Sequence, residues 1–379
     1  MTPEGPEAPH VLEAEEADPL ALAAPPPPRR AVRARGLLIV AGLWIAAFAV
    51  GGPLRDLALA GVEVAPFVLL GWLAHLGRQY LWARVLSWVG AALLVLVAAV
   101  ALAGLAGLAW EHQPHLAPAL LALAGALGCA GALATPLARP LLRALGMDPT
   151  DHVHRLALFV CVGLALICLA PLLATGRALL LDFITTRPDL DFQLTAFDHL
   201  LPLVWIGPGA FLLVGFGVHR TLSESARRLG LTWPGRGGLL WGIGAGLALV
   251  PAALVVGYVL EITMQSLGMS TAPEAELDRL FGLSSMTVVT ALGLSISAGV
   301  GEELVVRGVL QPRLGLLLAN LLFAALHAPQ YTLDGVIVVC LLGVAFGMLR
   351  RRTSTLVSML AHAIYDFALI VLIIQTTGG

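Results

Sequence analysis

Charge is scarce in this sequence. Only 12% of its 379 residues are Asp, Glu, Lys or Arg, whereas 58% are hydrophobic, and the mean hydropathy is +0.89. Soluble globular proteins carry about 25% charged residues. Half that share, with recurring apolar runs of about 20 residues, excludes a soluble domain and fits a polytopic helical membrane protein. Lysine is missing altogether, and all 22 basic residues are arginine. Together with abundant Ala, Gly and Pro this reads as GC-rich coding, and the expected location is a bacterial cytoplasmic membrane. A net charge of −2 without a basic patch gives no reason to expect a nucleic-acid partner. Cysteine is also rare. Cys129, Cys161, Cys168 and Cys340 all fall in apolar runs without a CxxC, so they read as small core residues and not as disulfides or thiolate ligands.

Residues 1–35 read as a disordered cytoplasmic tail: six acidic residues, four consecutive prolines (Pro25 to Pro28), then Arg29, Arg30, Arg33 and Arg35. No small-x-small cleavage site follows the arginines, which favours a retained first span over a signal peptide. Eleven spans are expected, at about 36–54, 57–76, 85–109, 115–138, 156–176, 196–218, 237–261, 284–308, 314–328, 334–349 and 355–375. The expected organisation is the tail, an N-terminal membrane region of six spans over 36–218, and a bundle of five spans over 237–379.

Arginine placement orients the chain. With a cytoplasmic N-terminus, alternate loops hold Arg78 and Arg84; Arg139, Arg143 and Arg155; Arg220, Arg227, Arg228 and Arg236; Arg313; and Arg350 to Arg352. With the four N-terminal ones these make 17 of the 22. The opposite loops hold Arg55, Arg177, Arg187 and Arg279 among acidic residues. The asymmetry follows the positive-inside rule and places the C-terminus outside. Two loops carry short capped helices: Thr221 with Glu224 ahead of Gly230, and Thr271 with Glu274 ahead of Gly282. Leu277, Leu280 and Phe281 give the second an apolar side suited to the outer mouth of the later bundle. The pairs Gly242/Gly246 and Gly343/Gly347 read as close helix contacts within the chain.

Ionisable residues inside the spans cost about 2.5–3.5 kcal/mol each at the bilayer centre, so their use has to be explained. Glu63 stands alone in the second span and reads as local packing or a lumen-facing group. Glu302, Glu303 and Arg307 share the eighth span, His327 ends the ninth, and His362 and Asp366 lie in the eleventh. Glu303 and Arg307 are i,i+4 and can pair, whereas Glu302 and Arg307 point about 140° apart. Glu302 is then free to act as a general base. His362 and Asp366 are also i,i+4. Bringing the three spans together requires helices that begin or break inside the bundle.

At these residues the chain resembles the CPBP family of intramembrane proteases, which includes type II CAAX prenyl endopeptidases and bacteriocin-processing or immunity (Abi-like) proteins. Glu302-Glu303-Leu-Val-Val-Arg307 fits EExxxR, Phe323-Ala-Ala-Leu-His327 fits FxxxH, and His362-Ala-Ile-Tyr-Asp366 fits HxxxN/D. The likeness covers about 237–375. It implies a catalytic set of Glu302, Glu303, Arg307, His327, His362 and Asp366: Glu302 activates water held by His327, Glu303 and Arg307 brace the helix, and His362 and Asp366 serve the scissile carbonyl. The HExxH zinc signature is absent. The resemblance leaves open a divalent metal such as zinc on Glu302, His327, His362 and Asp366, and equally a metal-free glutamate mechanism. Aspartate at 366, where prenyl-protease relatives carry asparagine, is a poorer oxyanion donor and a better ligand or histidine orienter.

The leading expectation is an intramembrane endopeptidase acting on a membrane-associated protein or peptide. The alternative is a non-catalytic immunity or scaffold protein, or a proton-coupled transporter, since buried Glu, Arg and His also form proton relays. A transporter would show two related halves; here the polar residues crowd one end. Substrate sequence and oligomeric state are not encoded in any motif.

Overall fold

The computed structural model describes residues 52–187, 195–272 and 274–377. Its helices are α1 (Pro53–Leu76), α2 (Leu81–Trp110), α3 (Leu116–Ala134), α4 (Ala138–Ala144), α5 (His152–Thr175), α6 (Leu179–Thr186), α7 (Ala196–Leu213), α8 (Leu222–Arg228), α9 (Gly235–Ser266), α10 (Glu274–Phe281), α11 (Val288–Glu303), α12 (Gln311–Leu326), α13 (Leu333–Arg352) and α14 (Thr355–Thr377). A π-helical stretch, Leu304–Leu310, joins α11 to α12. Among the described residues the only β pairing is one isolated bridge, Phe216 to Arg220. The chain is an all-α integral membrane protein.

Nine segments of the described residues are long and apolar enough to cross a membrane, two fewer than the eleven expected. The expected first span, 36–54, lies outside the described residues apart from its last three. The eighth and ninth are joined into one apolar run, Val288–Leu326. That run does not continue straight. Gly315 has φ 75° and ψ 172°, a conformation open to glycine and closed to L side chains. Beyond it the chain doubles back: the Arg307 guanidinium lies 5.1 Å from the centroid of the Phe323 ring. A straight helix would separate residues 16 positions apart by roughly 24 Å. The break inside the bundle that the sequence required is therefore at Gly315.

Outward faces carry large apolar side chains, such as Leu81, Val97 and Val100 on α2 and Leu240, Val255 and Tyr258 on α9. In lipid such faces give no drive for helix association, so close packing has to supply it. α5 packs on α2 and α3, α7 contacts both α1 and α11, and α14 lies against α9 and α11. Glycines allow the closest approaches. A Cβ at Gly246 would stand 2.5 Å from the Ala361 carbonyl oxygen, and one at Gly347 2.3 Å from Leu316 Cδ1. Both small-residue pairs are thus contacts within the chain, as expected.

Caps end the helices where the sequence places them. Thr221 and Glu224 form a reciprocal capping box on α8, and Thr195 with Asp198 forms another on α7. The box expected on α10 involves Pro273 and the Glu274 side chain, which lie outside the described residues. The helix itself is present, ends at Gly282 (φ 62°), and stacks Phe281 on Tyr331 at 5.7 Å. All four cysteines are free; Cys129 is exposed on α3 instead of buried in a core.

Cross-contacts sort the helix ends. Arg78 pairs with Asp151, His75 meets the Leu213 carbonyl, Arg228 reaches Gly308, and the Thr355 amide donates to Gly230. All of these lie at one end of the bundle.

Candidate active site

The site is built where α11 and α14 touch. A Cβ on Gly299 would lie 2.6 Å from the Ala363 nitrogen and 2.8 Å from the Met359 oxygen, so only glycine lets these backbones meet. One turn further along α11, Glu302 and Glu303 face α14.

Glu303 is fully buried and surrounded by donors. Its Oε2 accepts from Ser358 Oγ at 2.5 Å and lies 3.2 Å from Arg307 Nε; its Oε1 is 3.2 Å from His362 Nδ1. Arg307 is held in turn by a 2.9 Å bond to the Gly343 carbonyl and by the Phe323 ring. A buried carboxylate without such partners would face several kcal/mol of desolvation; here the arginine offsets it.

Arg307 lies within the π-helical stretch Leu304–Leu310. Pro312 has no amide to offer the Gly308 carbonyl four residues back. The turn widens instead, the Gln311 amide reaches Val306 five residues back, and Arg228 donates to the Gly308 oxygen at 3.0 Å. π-turns are uncommon and cluster at functional sites.

Glu302 differs from its neighbour. Its side chain is 37% exposed, and its nearest charged partner is His362 Nε2 at 4.0 Å. That nitrogen also lies 3.4 Å from Asp366 Oδ2. Phe346 stacks on the imidazole at 4.5 Å, fixing its plane. The family resemblance implies that His362 and Asp366 serve the scissile carbonyl together. The structure places it between Glu303 and Asp366, with Glu302 further off, because the close α11–α14 approach brings Glu303 against its Nδ1.

His327 stands apart. Among the described residues, no hydrogen bond or ion pair joins it to Glu302, His362 or Asp366. Its Nδ1 lies 2.9 Å from the Phe323 carbonyl, an obligate acceptor, so Nδ1 is the N–H side and Nε2 keeps its lone pair. Tyr331 stacks beside it at 6.1 Å. Burial raises the Tyr331 hydroxyl above the usual phenol range, and the Asp366 and Glu302 carboxylates raise it further. Tyr331 thus lies within electrostatic reach of both Glu302 and Asp366, on the His327 side of the site.

Sequence reasoning missed Gly299, Ser358, Phe346 and Tyr331. Ser358 is i−4 to His362 and Tyr331 is i+4 to His327, a spacing that could have flagged both. Gly299 and Phe346 act through packing that local spacing does not reveal. Glu63 does not join the site; it is exposed and lines a cavity of ≈ 390 Å³ with Asp56, Asp198, His199 and Ser297.

Glu302, His327, His362 and Asp366 do not fit a metal as arranged. Each His362 nitrogen lies against a carboxylate oxygen, Nδ1 at 3.2 Å from Glu303 and Nε2 at 3.4 Å from Asp366, while His327 is not gathered with the others. Among the described residues no three His, Cys, Asp or Glu side chains stand in metal-holding geometry.

No curated protein and no solved structure matches the chain. Residues 284–368 match the family model described as type II CAAX prenyl endopeptidase Rce1-like, a stretch containing Glu302, Glu303, Arg307, His327, His362 and Asp366. Residues 284–368 are an Rce1-like domain of the CPBP family, which implies an intramembrane protease acting on protein or peptide substrates.

Proposed function

We propose that the chain is an intramembrane endopeptidase in which Glu302 is the general base that activates the hydrolytic water. The observation that carries this reading is the contrast between the two adjacent carboxylates. Glu303 is closed off by Arg307, Ser358 and His362, whereas the Glu302 side chain is 37% exposed and open to water. A general base needs a free carboxylate within reach of its proton donor.

In this mechanism Glu302 takes a proton from water as its oxygen attacks the scissile carbonyl. His362, with Asp366 beside it, serves the scissile carbonyl as the oxyanion develops. His327 takes the role that the family resemblance gives it, orienting the nucleophilic water. Collapse of the tetrahedral intermediate sends the Glu302 proton to the leaving amine. Glu303 and Arg307 hold the π-turn in place. No step passes through a metal.

The reading assigns the chemistry to 237–379, leaves 36–218 as a membrane region of separate role, and keeps 1–35 as a cytoplasmic tail with the C-terminus outside. The substrate is a membrane-associated protein or peptide that enters from the bilayer. Digestion of a peptide library by the purified protein in H₂¹⁸O tests it. One ¹⁸O is expected in each new carboxylate, and absence of any cleavage across substrates would contradict the proposal.

A further inference from the structure

The arginine-rich end of the bundle holds a second concentration of charge, which the proteolytic site draws on only through Arg228 at the Gly308 carbonyl. Arg220 lies in the α7–α8 turn, Arg228 ends α8, and Arg313 lies in the first turn of α12. They are brought together across the fold. Arg228 donates to the Gly308 and Val309 carbonyls, at 3.0 and 3.5 Å. Arg220 donates to the Val214 carbonyl and lies 2.9 Å from His219 Nε2. Arg313 Nη2 lies 3.4 Å from His75 Nε2, and the His75 and His219 rings are 4.8 Å apart.

Positive loops are ordinary at a cytoplasmic face. Convergence of three guanidiniums without an acid is not. Among the described residues no carboxylate lies within ion-pair distance of Arg220, Arg228 or Arg313; of the acids near them, Asp151 is taken by Arg78 in a two-pronged contact at 2.5 and 3.3 Å, and Glu224 caps α8 through Thr221. The donors also conflict. His75 Nε2 faces the Leu213 carbonyl at 2.9 Å, which makes it an N–H, and Arg313 brings a second donor to that nitrogen. His75 is 1% exposed and its Nδ1 has no partner. Burial, then Arg313, Arg220 and Arg350, push Arg228 down to about 9.

We propose that Arg220, Arg228 and Arg313, with the His75–His219 pair, form an anion site that takes a phosphate group at this membrane face. Guanidinium forks match phosphate oxygens bidentately, and basic pockets between helices suit a phospholipid head as well as a free phosphate. The site is independent of the proteolytic reading.

The test uses full-length protein, delipidated in detergent and then offered inorganic phosphate or nanodiscs of phosphatidylcholine with and without phosphatidylglycerol. Native mass spectrometry counts the bound anion. Wild type is expected to retain phosphatidylglycerol over phosphatidylcholine, and Arg313→Gln or Arg220→Gln to weaken retention about fivefold each. Arg139→Gln, exposed on α4, is expected to leave it unchanged. Displacement by inorganic phosphate assigns the site to the phosphate group alone; retention against excess phosphate assigns it to the lipid head. Should Arg313→Gln not accumulate, Arg220→Lys keeps the charge and removes the fork, and retention still falls. Equal binding of both lipids and no phosphate binding would overturn the proposal, as would variants that bind like wild type.

Discussion

Glu302 and Glu303 are neighbours in the chain, yet the Glu303 side chain is 0% exposed and the Glu302 side chain 37%. A one-residue step on a helix turns a side chain by about 100°, enough to put one carboxylate against arginine and leave the other partly exposed. The two positions should therefore fail in different ways when altered.

Glu303→Gln leaves the Arg307 guanidinium buried without its counter-charge. Breaking a buried pair in this way costs about 3–5 kcal/mol. The variant is expected to show a much lower thermal midpoint and yield in detergent. Glu302→Gln, at a partly exposed position, should stay within about 0.5 kcal/mol of wild type. Equal stability of the two variants would contradict the assignment.

Engagement of both His362 nitrogens by carboxylates predicts that a chelator leaves the cleavage rate unchanged, and that elemental analysis finds no stoichiometric zinc. Loss of activity with chelator, restored by zinc, would mean that His362 turns away from Glu303 to ligate.

Gly299 and Gly315 make separate structural demands. Gly299→Val places carbon where the Ala363 and Met359 backbones stand, and is expected to part α11 from α14 and abolish activity. Gly315→Ala meets open space but an inaccessible φ, at a cost of about 1–3 kcal/mol. Denaturation midpoints in detergent check both. A neutral Gly315→Ala would argue against the reversal there.

His219 provides a pH prediction. Burial, then Arg220, lower it to about 4, below its ordinary value of roughly 6.5. The folded state therefore binds fewer protons than the unfolded one between those values. Its stabilising contribution is complete above about pH 6.5 and declines as pH falls towards about 4. A His219→Gln variant should show a flatter dependence of thermal midpoint on pH across that window. Parallel curves would contradict it.

Much of this was legible in residue order. Hydropathy located the spans, Thr221 with Glu224 gave a cap, and the i,i+4 spacing paired Glu303 with Arg307. These are local relations, fixed by helix geometry alone. The π-turn was not legible, because Pro312 acts on the Gly308 carbonyl only together with Arg228, 80 residues away. Nor was the position of His362 between Glu303 and Asp366, which depends on how closely Gly299 lets two helices meet. The same holds for Tyr331, which the hairpin turn brings within electrostatic reach of Glu302 and Asp366. Joining the eighth and ninth expected spans at Gly315 likewise follows from a backbone angle that composition does not carry.

The central claim is that Glu302 activates water, and the most direct measurement is the cleavage rate of Glu302→Gln against wild type on one identified peptide, in preparations of matched thermal midpoint. The account predicts a loss of about 100-fold or more, the order that general-base removal brings, with the fold intact. Cleavage by Glu302→Gln at the wild-type rate would contradict it.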